Sequence, residues 1–193
     1  MTTGLLYKAT IGVAFFFSGW CAAQTPQLPA QAMAGDLIFR AGTEGVSHAV
    51  MAVDQGLYSH VGLLIGTPEN WQVVHATPSE RRGTPDAVVL DDLAFYLDAQ
   101  RASGFQVMQV HGVSATQRQQ VVNWAVGQKG RRFHMLDRTL GTYCTTLVWD
   151  AWQHAGLDLQ VHFTQVSLPL LSGSYLLPSA LAASPHLRAL AAP

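Results

Sequence analysis

Thr142-Tyr143-Cys144-Thr145-Thr146-Leu147-Val148-Trp149-Asp150-Ala151-Trp152 is the stretch that decides how the rest of the chain is read. Leu147, Val148, Ala151, Trp152 and Ala155 recur at helical spacing, and Gly156 stops the run. Cys144 leads the same stripe, so its sulfur falls at a helix N-terminus, on the face that meets the rest of the protein. Free backbone N–H groups and the positive end of the helix dipole favour a thiolate there. A thiolate is a nucleophile. It needs an imidazole within hydrogen-bond reach and a third polar group to orient that imidazole.

Upstream, Tyr58-Ser59-His60-Val61-Gly62-Leu63-Leu64-Ile65 supplies the base. Val61 to Ile65 is a near-continuous apolar run, read as a buried strand, and His60 stands at its entrance. Thr67-Pro68-Glu69-Asn70 is a turn, and Trp71 to Ala76 reads as the returning strand of a hairpin. A tight hairpin makes residues near 60 and 75 neighbours across the ladder, so His75 can bond the His60 ring and fix its tautomer. Tyr143 and Tyr58 are the candidate oxyanion or substrate-binding groups, beside the Cys144 N–H. His48, His111, His134, His154, His162 and His186 lack a comparable arrangement and default to surface or structural roles. Blander readings compete: a buried inert thiol, a strand-end histidine facing water and a packed Tyr143. His60, His75 and Cys144 could also ligate zinc, but no HxxxH or CxxC spacing supports it, and no metal or cofactor is expected.

Outward from these two stretches the elements follow in order. Gly35-Asp36 turns into a strand over Leu37 to Arg40, and Ser47 opens a short helix to about Val53. After the hairpin, Thr77 to Pro85 is a polar loop whose Arg81-Arg82 pair is expected to be solvated. Ala87 to Leu90 is a strand, and Asp91-Asp92 opens a helix to about Asp98. Phe105 to Val110 alternates as a half-buried strand does. Ser114 caps a helix from Ala115 to Gln128 with Val121, Val122, Ala125 and Val126 as its inner stripe. Leu157 to Phe163 is a possible strand, and a last helical turn falls near Leu187. Strands and a hairpin, then helices, give an α+β domain.

Composition bounds the function. Of 193 residues, 49% are hydrophobic, enough for a real core, and a formal net charge of −1 with no basic run gives nucleic acid no footing. Lys8, the apolar run Ala9 to Phe17 and Ser18-Gly19-Trp20-Cys21-Ala22-Ala23 have the order of a signal peptide cleaved near Ala23. The expected organisation is a signal peptide over 1–23, a flexible leader over 24–34 and one domain over 35–193. That places the protein in the periplasm or outside the cell. Cys21 raises a lipid anchor as a lesser option, disfavoured by Trp20 before it, and membrane association is expected only in that case. With Cys21 removed, Cys144 is a lone thiol.

Gly35-Asp36-Leu37-Ile38-Phe39, Ser59-His60-Val61-Gly62-Leu63 and Tyr143-Cys144-Thr145-Thr146-Leu147-Val148, in that order, resemble the YiiX/YaeF-like permuted papain-fold enzymes of the NlpC-type cysteine peptidase superfamily. The resemblance runs into the C-terminal segment, where Leu177-Pro178-Ser179-Ala180-Leu181 and then Ser184-Pro185 are similar to the family's closing pattern. It implies a circularly permuted papain-like fold, an antiparallel sheet packed with the cysteine helix. It also implies a nucleophile at Cys144 and a base at His60. The family's third polar residue, often a glutamate, falls at His75, and two histidines with a cysteine resemble the related retinol acyltransferase-like enzymes. Thr145-Thr146 stands where the family usually has Ser-Glu, and Phe133-His134 where it tends to have Tyr-Asp.

The expected function is a cysteine hydrolase or amidase acting on a peptide amide of the cell wall. A lipid ester, or acyl transfer to a second acceptor, is the alternative on the same fold. An idle ligand-binding protein is the alternative outside enzymes.

Overall fold

The computed structural model describes residues 27–168 and 171–191. The expected signal peptide and Cys21 lie outside them. In chain order the elements are β1 (Leu37–Gly42), α1 (Gly45–Asp54), β2 (His60–Ile65), β3 (Gln72–Thr77), β4 (Ala87–Asp92), α2 (Leu93–Tyr96), β5 (Ala102–Val110), α3 (Ala115–Gly127), α4 (Cys144–His154), β6 (Thr164–Leu168), β7 (Leu171–Tyr175), α5 (Pro178–Ala182) and β8 (Leu187–Ala189).

Strand periodicity divides the core in two. Six strands pair in the order β4-β3-β2-β1-β5-β8, antiparallel throughout. Leu37, Phe39, Val61, Leu63, Val74 and Ala76 point to one face, where they pack with Val121 and Ala125 of α3 and Leu147, Val148, Ala151 and Trp152 of α4. Ile38, Leu64, Val73 and Val107 point to the other, under Leu93, Tyr96 and Leu97. The helical stripe read from Leu147 to Trp152 is therefore the face α4 buries. β6 and β7 form a separate hairpin.

Local chemistry sets the boundaries. Gly66, at φ +93, makes the turn between β2 and β3, where an added Cβ would lie 2.3 Å from the Asn70 carbonyl oxygen. Ser114 caps α3 reciprocally: Gln117 N–H donates to its Oγ at 3.2 Å, and its own N–H donates to Gln117 Oε1 at 3.0 Å. The inner stripe of α3 is rotated from the sequence reading. Arg118, Val121 and Ala125 are buried while Val126 is exposed, because Arg118 turns inward to pair with buried Asp36 at 2.6 Å. That pair ties α3 to the entrance of β1.

Further expectations differ from the structure: α1 begins at Gly45 with Glu44 at its N-cap, so Ser47 lies inside that helix and does not open it. Asp91 and Asp92 also extend β4, opposite Val73 and Gln72, and the helix expected after them is shorter, α2 over Leu93–Tyr96 with Asp92 at its N-cap. Leu157 to Phe163 is not a strand, because Asp158 Oδ1 accepts from the Gln160 N–H at 2.8 Å and Gln160 takes φ +53, a local turn that breaks extended pairing. Leu187 lies in β8, which pairs along β5 at Met108↔Ala189. Part of the leader over 24–34 is folded down: Leu28 and Ala32 pack beneath the sheet, and Gln109 Nε2 donates to the Gln31 carbonyl at 3.1 Å.

Candidate active site

His75 sits within β3, fully buried. Gly62 on the neighbouring strand makes room for it: an added Cβ there would lie 3.1 Å from His75 Cβ and 2.4 Å from Val73 Cγ1. His60, the first residue of β2, brings its Nε2 to 2.8 Å from His75 Nδ1, with the rings edge to face. On the far side, His75 Nε2 lies 3.1 Å from Asp91 Oδ2. Register explains the meeting: β3 and β4 pair Val73↔Asp91 and His75↔Val89, so Asp91 is the same-face diagonal neighbour of His75.

These contacts fix the tautomers. An ionised carboxylate only accepts, so His75 carries its proton on Nε2. His75 Nδ1 then offers a lone pair, and His60 Nε2–H donates to it. What remains on His60 is the Nδ1 lone pair, the basic site of the ring. Asp91, His75 and His60 thus form one directed chain of hydrogen bonds.

Electrostatics shift both rings towards the neutral form. Burial holds His60 well below the usual imidazole range, and the Arg40 charge and His75 add to it. Burial lowers His75 too, against the bond to Asp91. Burial pushes Asp91 up, but His75 and the nearby cations outweigh it, and its net shift is downward. Arg81 reaches the other Asp91 oxygen at 2.8 Å and stacks on Phe95, so it is not merely solvated. Tyr96 lies under both imidazoles, with centroids 5.0 Å from His75 and 5.9 Å from His60. Its hydroxyl donates to the Ile38 carbonyl at 3.1 Å. Arg40, opposite His60 in the ladder, covers Tyr96 and forms a buried ion pair with Glu80.

Cys144 is the first residue of α4, and it and His60 line one cavity of about 350 Å³. The N–H groups of Val61, Thr145 and Cys144 itself are directed at its sulfur, which puts the sulfur beside the His60–Val61 peptide. Burial works against the expected thiolate. Burial pushes the thiol up to about 11, outweighing those N–H groups and the Arg40 charge.

The other two expected site residues fare differently. Tyr143 lines the cavity, but its hydroxyl accepts the Leu176 N–H at 2.9 Å, which ties the start of α4 to the segment after β7. Burial pushes that phenol up to about 12. Tyr58 packs its ring on Phe39 at 5.7 Å instead of lining the cavity, a correction that follows from its place beside the α4-facing core. The three-ligand zinc reading also fails on geometry, since both ring nitrogens of His75 are engaged. Sequence reasoning missed Asp91, Arg40, Glu80 and Tyr96. Only Asp91 left a signal: continuing the alternation of β4 by one residue puts it on the face of His75.

A family model described as the permuted papain-like amidase enzymes YaeF/YiiX, C92 family, matches residues 31–191. The chain belongs to this family. A crystal structure of metalloprotein yiiX from Escherichia coli O157:H7 is similar at a TM-score of 0.68 and 22% identity, covering 88% of this chain and 99% of that one. At that identity it shows the fold, and the mixed helix and antiparallel sheet described above is the permuted papain-like fold. No curated protein matches. Membership in the YaeF/YiiX family makes the protein a hydrolase of the amidase type. The match begins within the segment expected as leader, where Ala32 is buried.

Proposed function

We propose that this YaeF/YiiX-family protein hydrolyses an acyl bond, an amide first, with Cys144 as nucleophile and His60 as base. One observation carries the reading: the chain Asp91–His75–His60 leaves a single basic nitrogen, and the residue bearing it lines the cavity that holds the thiol. The thiol proton passes to His60 Nδ1 as the sulfur attacks the carbonyl carbon and the carbonyl π pair moves onto oxygen. The first-turn N–H groups of α4 receive that oxyanion. Collapse breaks the C–N bond, and the leaving amine takes the proton from His60. Water then attacks the thioester, giving its proton to His60; the acid leaves and the sulfur is reprotonated. Each time His60 is charged, His75 and Asp91 share the charge through the hydrogen-bond chain.

The solved relative is described as a metalloprotein. Here His60 Nδ1 and the Cys144 sulfur are the donors left over, and no group of three His, Cys, Asp or Glu among the described residues is placed to hold a metal ion. A zinc site takes at least three protein ligands. The residues do not fit a metal centre, and no step above runs through one.

Digestion of purified cell wall and of lipid extracts, with wild type and Cys144→Ala side by side, tests the proposal. Release of acyl products by wild type, reduced roughly 10⁴-fold or more in the variant, is the expected result. Undiminished release by Cys144→Ala ends the nucleophile assignment. We also place the reaction outside the cytoplasm, from the signal-peptide pattern of residues 1–23. A mature protein whose mass begins at Gln24 supports that; one retaining Met1 removes it.

A further inference from the structure

We propose that the cavity beside Cys144 is a pocket for a single aliphatic acyl chain, so that the bond cut belongs to a fatty-acyl amide or ester and not to a cell-wall peptide. This rests on Cys144 being the nucleophile and adds the class of its substrate.

Three observations carry it. The first is an unfinished core. Tyr143, Val166 and Tyr175 form a third apolar cluster, apart from the two sheet cores, and Val53, Phe133, Met135 and Leu177 pack against it only partly buried. All seven line the cavity. Helix α1, which closes the same space with Val46, Val50 and Val53, has no buried residue of its own. An apolar guest would complete both. The volume of about 350 Å³ is within the range of small-ligand pockets and suits a chain, not a branched peptide.

The second observation is how little polar capacity the lining has to spare. A peptide brings a donor and an acceptor with nearly every residue, and each needs a partner once water is excluded. Apart from Glu44 and Ser47 on the α1 side, most polar side chains of the lining are already engaged with other side chains or backbone. Arg40 pairs with Glu80, Thr77 Oγ1 donates to Glu80 at 3.0 Å, Thr145 Oγ1 donates to the Leu176 carbonyl at 2.6 Å, and Ser59 Oγ accepts the Gly42 N–H at 3.0 Å.

The third is the exception. Tyr175 is buried in the cavity wall, and its hydroxyl has no hydrogen-bond partner among the described residues. An orphaned buried hydroxyl is costly, and an oxygen carried by the guest would relieve it. One unpartnered buried hydroxyl in a lining whose exposed surface is mainly apolar matches an acyl chain with a single polar head.

The test separates binding from turnover. Calorimetric titration of Cys144→Ala with butanamide, hexanamide and octanamide is expected to show affinity rising about fourfold per added methylene, the factor that corresponds to about 0.8 kcal/mol per CH₂. Val50→Glu in the same background flattens that slope; α1 buries nothing, so its circular dichroism stays that of the parent. Tyr175→Phe weakens every amide alike and leaves the slope. Affinity independent of chain length, or no saturable binding of octanamide, overturns the acyl pocket and leaves the Cys144 hydrolase standing. A graded slope beside turnover that survives Cys144→Ala has the opposite meaning: the pocket stands and the nucleophile assignment falls.

Discussion

The cavity has two unlike walls. On the sheet wall stand His60, Arg40 and Glu80, and behind it His75 and Asp91 are buried and joined to His60 atom to atom, with Tyr96 packed against both rings. On the helix wall, α1 buries none of its residues, and Val46 is 61% exposed. Rigidity and polarity go together on the first because an unpaired buried polar group is expensive, so each member holds the next in place. Looseness and apolarity go together on the second because contacts among half-exposed aliphatics specify little. Reaction chemistry needs the first kind of wall, and recognition of a flexible chain tolerates the second.

Substitutions that break the sheet wall should therefore cost most. His75→Leu leaves His60 Nε2–H and Asp91 without their partner, and kcat/KM is expected to fall by roughly 10² to 10⁴, the usual worth of a positioned general base. Steady-state kinetics on any accepted substrate measures it; a loss under threefold would mean that the directed chain is ornament. Asp91→Asn keeps an acceptor but removes the charge that supports the imidazolium, and a fall of about ten- to a hundredfold in kcat is expected with KM little changed. A change confined to KM would move Asp91 from positioning the base to shaping the pocket.

Acid should find the same wall. His60 and His75 both bind protons more weakly folded than unfolded. Below about pH 6.5 the unfolded chain therefore takes up protons that the folded one does not, and stability present above that pH is lost as pH falls. Urea titrations from pH 7.5 to 5 should show a loss of up to about 1.4 kcal/mol per pH unit for each histidine, with a shallower slope in His75→Gln. An equal slope in the variant would place the titrating groups elsewhere. On the helix wall, Val46→Ser is expected to change stability by less than about 0.5 kcal/mol. A larger loss would show α1 to be part of the core after all.

What the sequence disclosed was what periodicity and short-range pairing can carry. The stripe from Leu147 to Trp152 reports α4 and its buried face, and the hairpin spacing brings His75 to His60. Asp91 stayed hidden because consecutive aspartates before an apolar run look like a helix cap, and only the β3–β4 register reveals that the strand runs on. The loop arginines hid a contact for the same reason, since Arg81 meets Asp91 only once β4 is in place. The thiol was misjudged on magnitude. Helix-terminal N–H groups do act on Cys144, but desolvation, which no local sequence window reveals, acts more strongly. The apolar character of the cavity is equally non-local, assembled from α1, the Phe133–Met135 segment and the β6–β7 hairpin.

A cysteine that keeps its proton is chemically quiet. Peroxides, disulfides and alkylating drugs react with the thiolate and largely ignore the thiol. The burial that pushes the Cys144 thiol up therefore also works against oxidative wear, to which a sulfur with a lowered pKa would be more open. The same property sets the terms for inhibitor design: a reactive group presented alone would find little to attack, whereas one delivered on a guest that fills the cavity would meet the sulfur as His60 withdraws its proton.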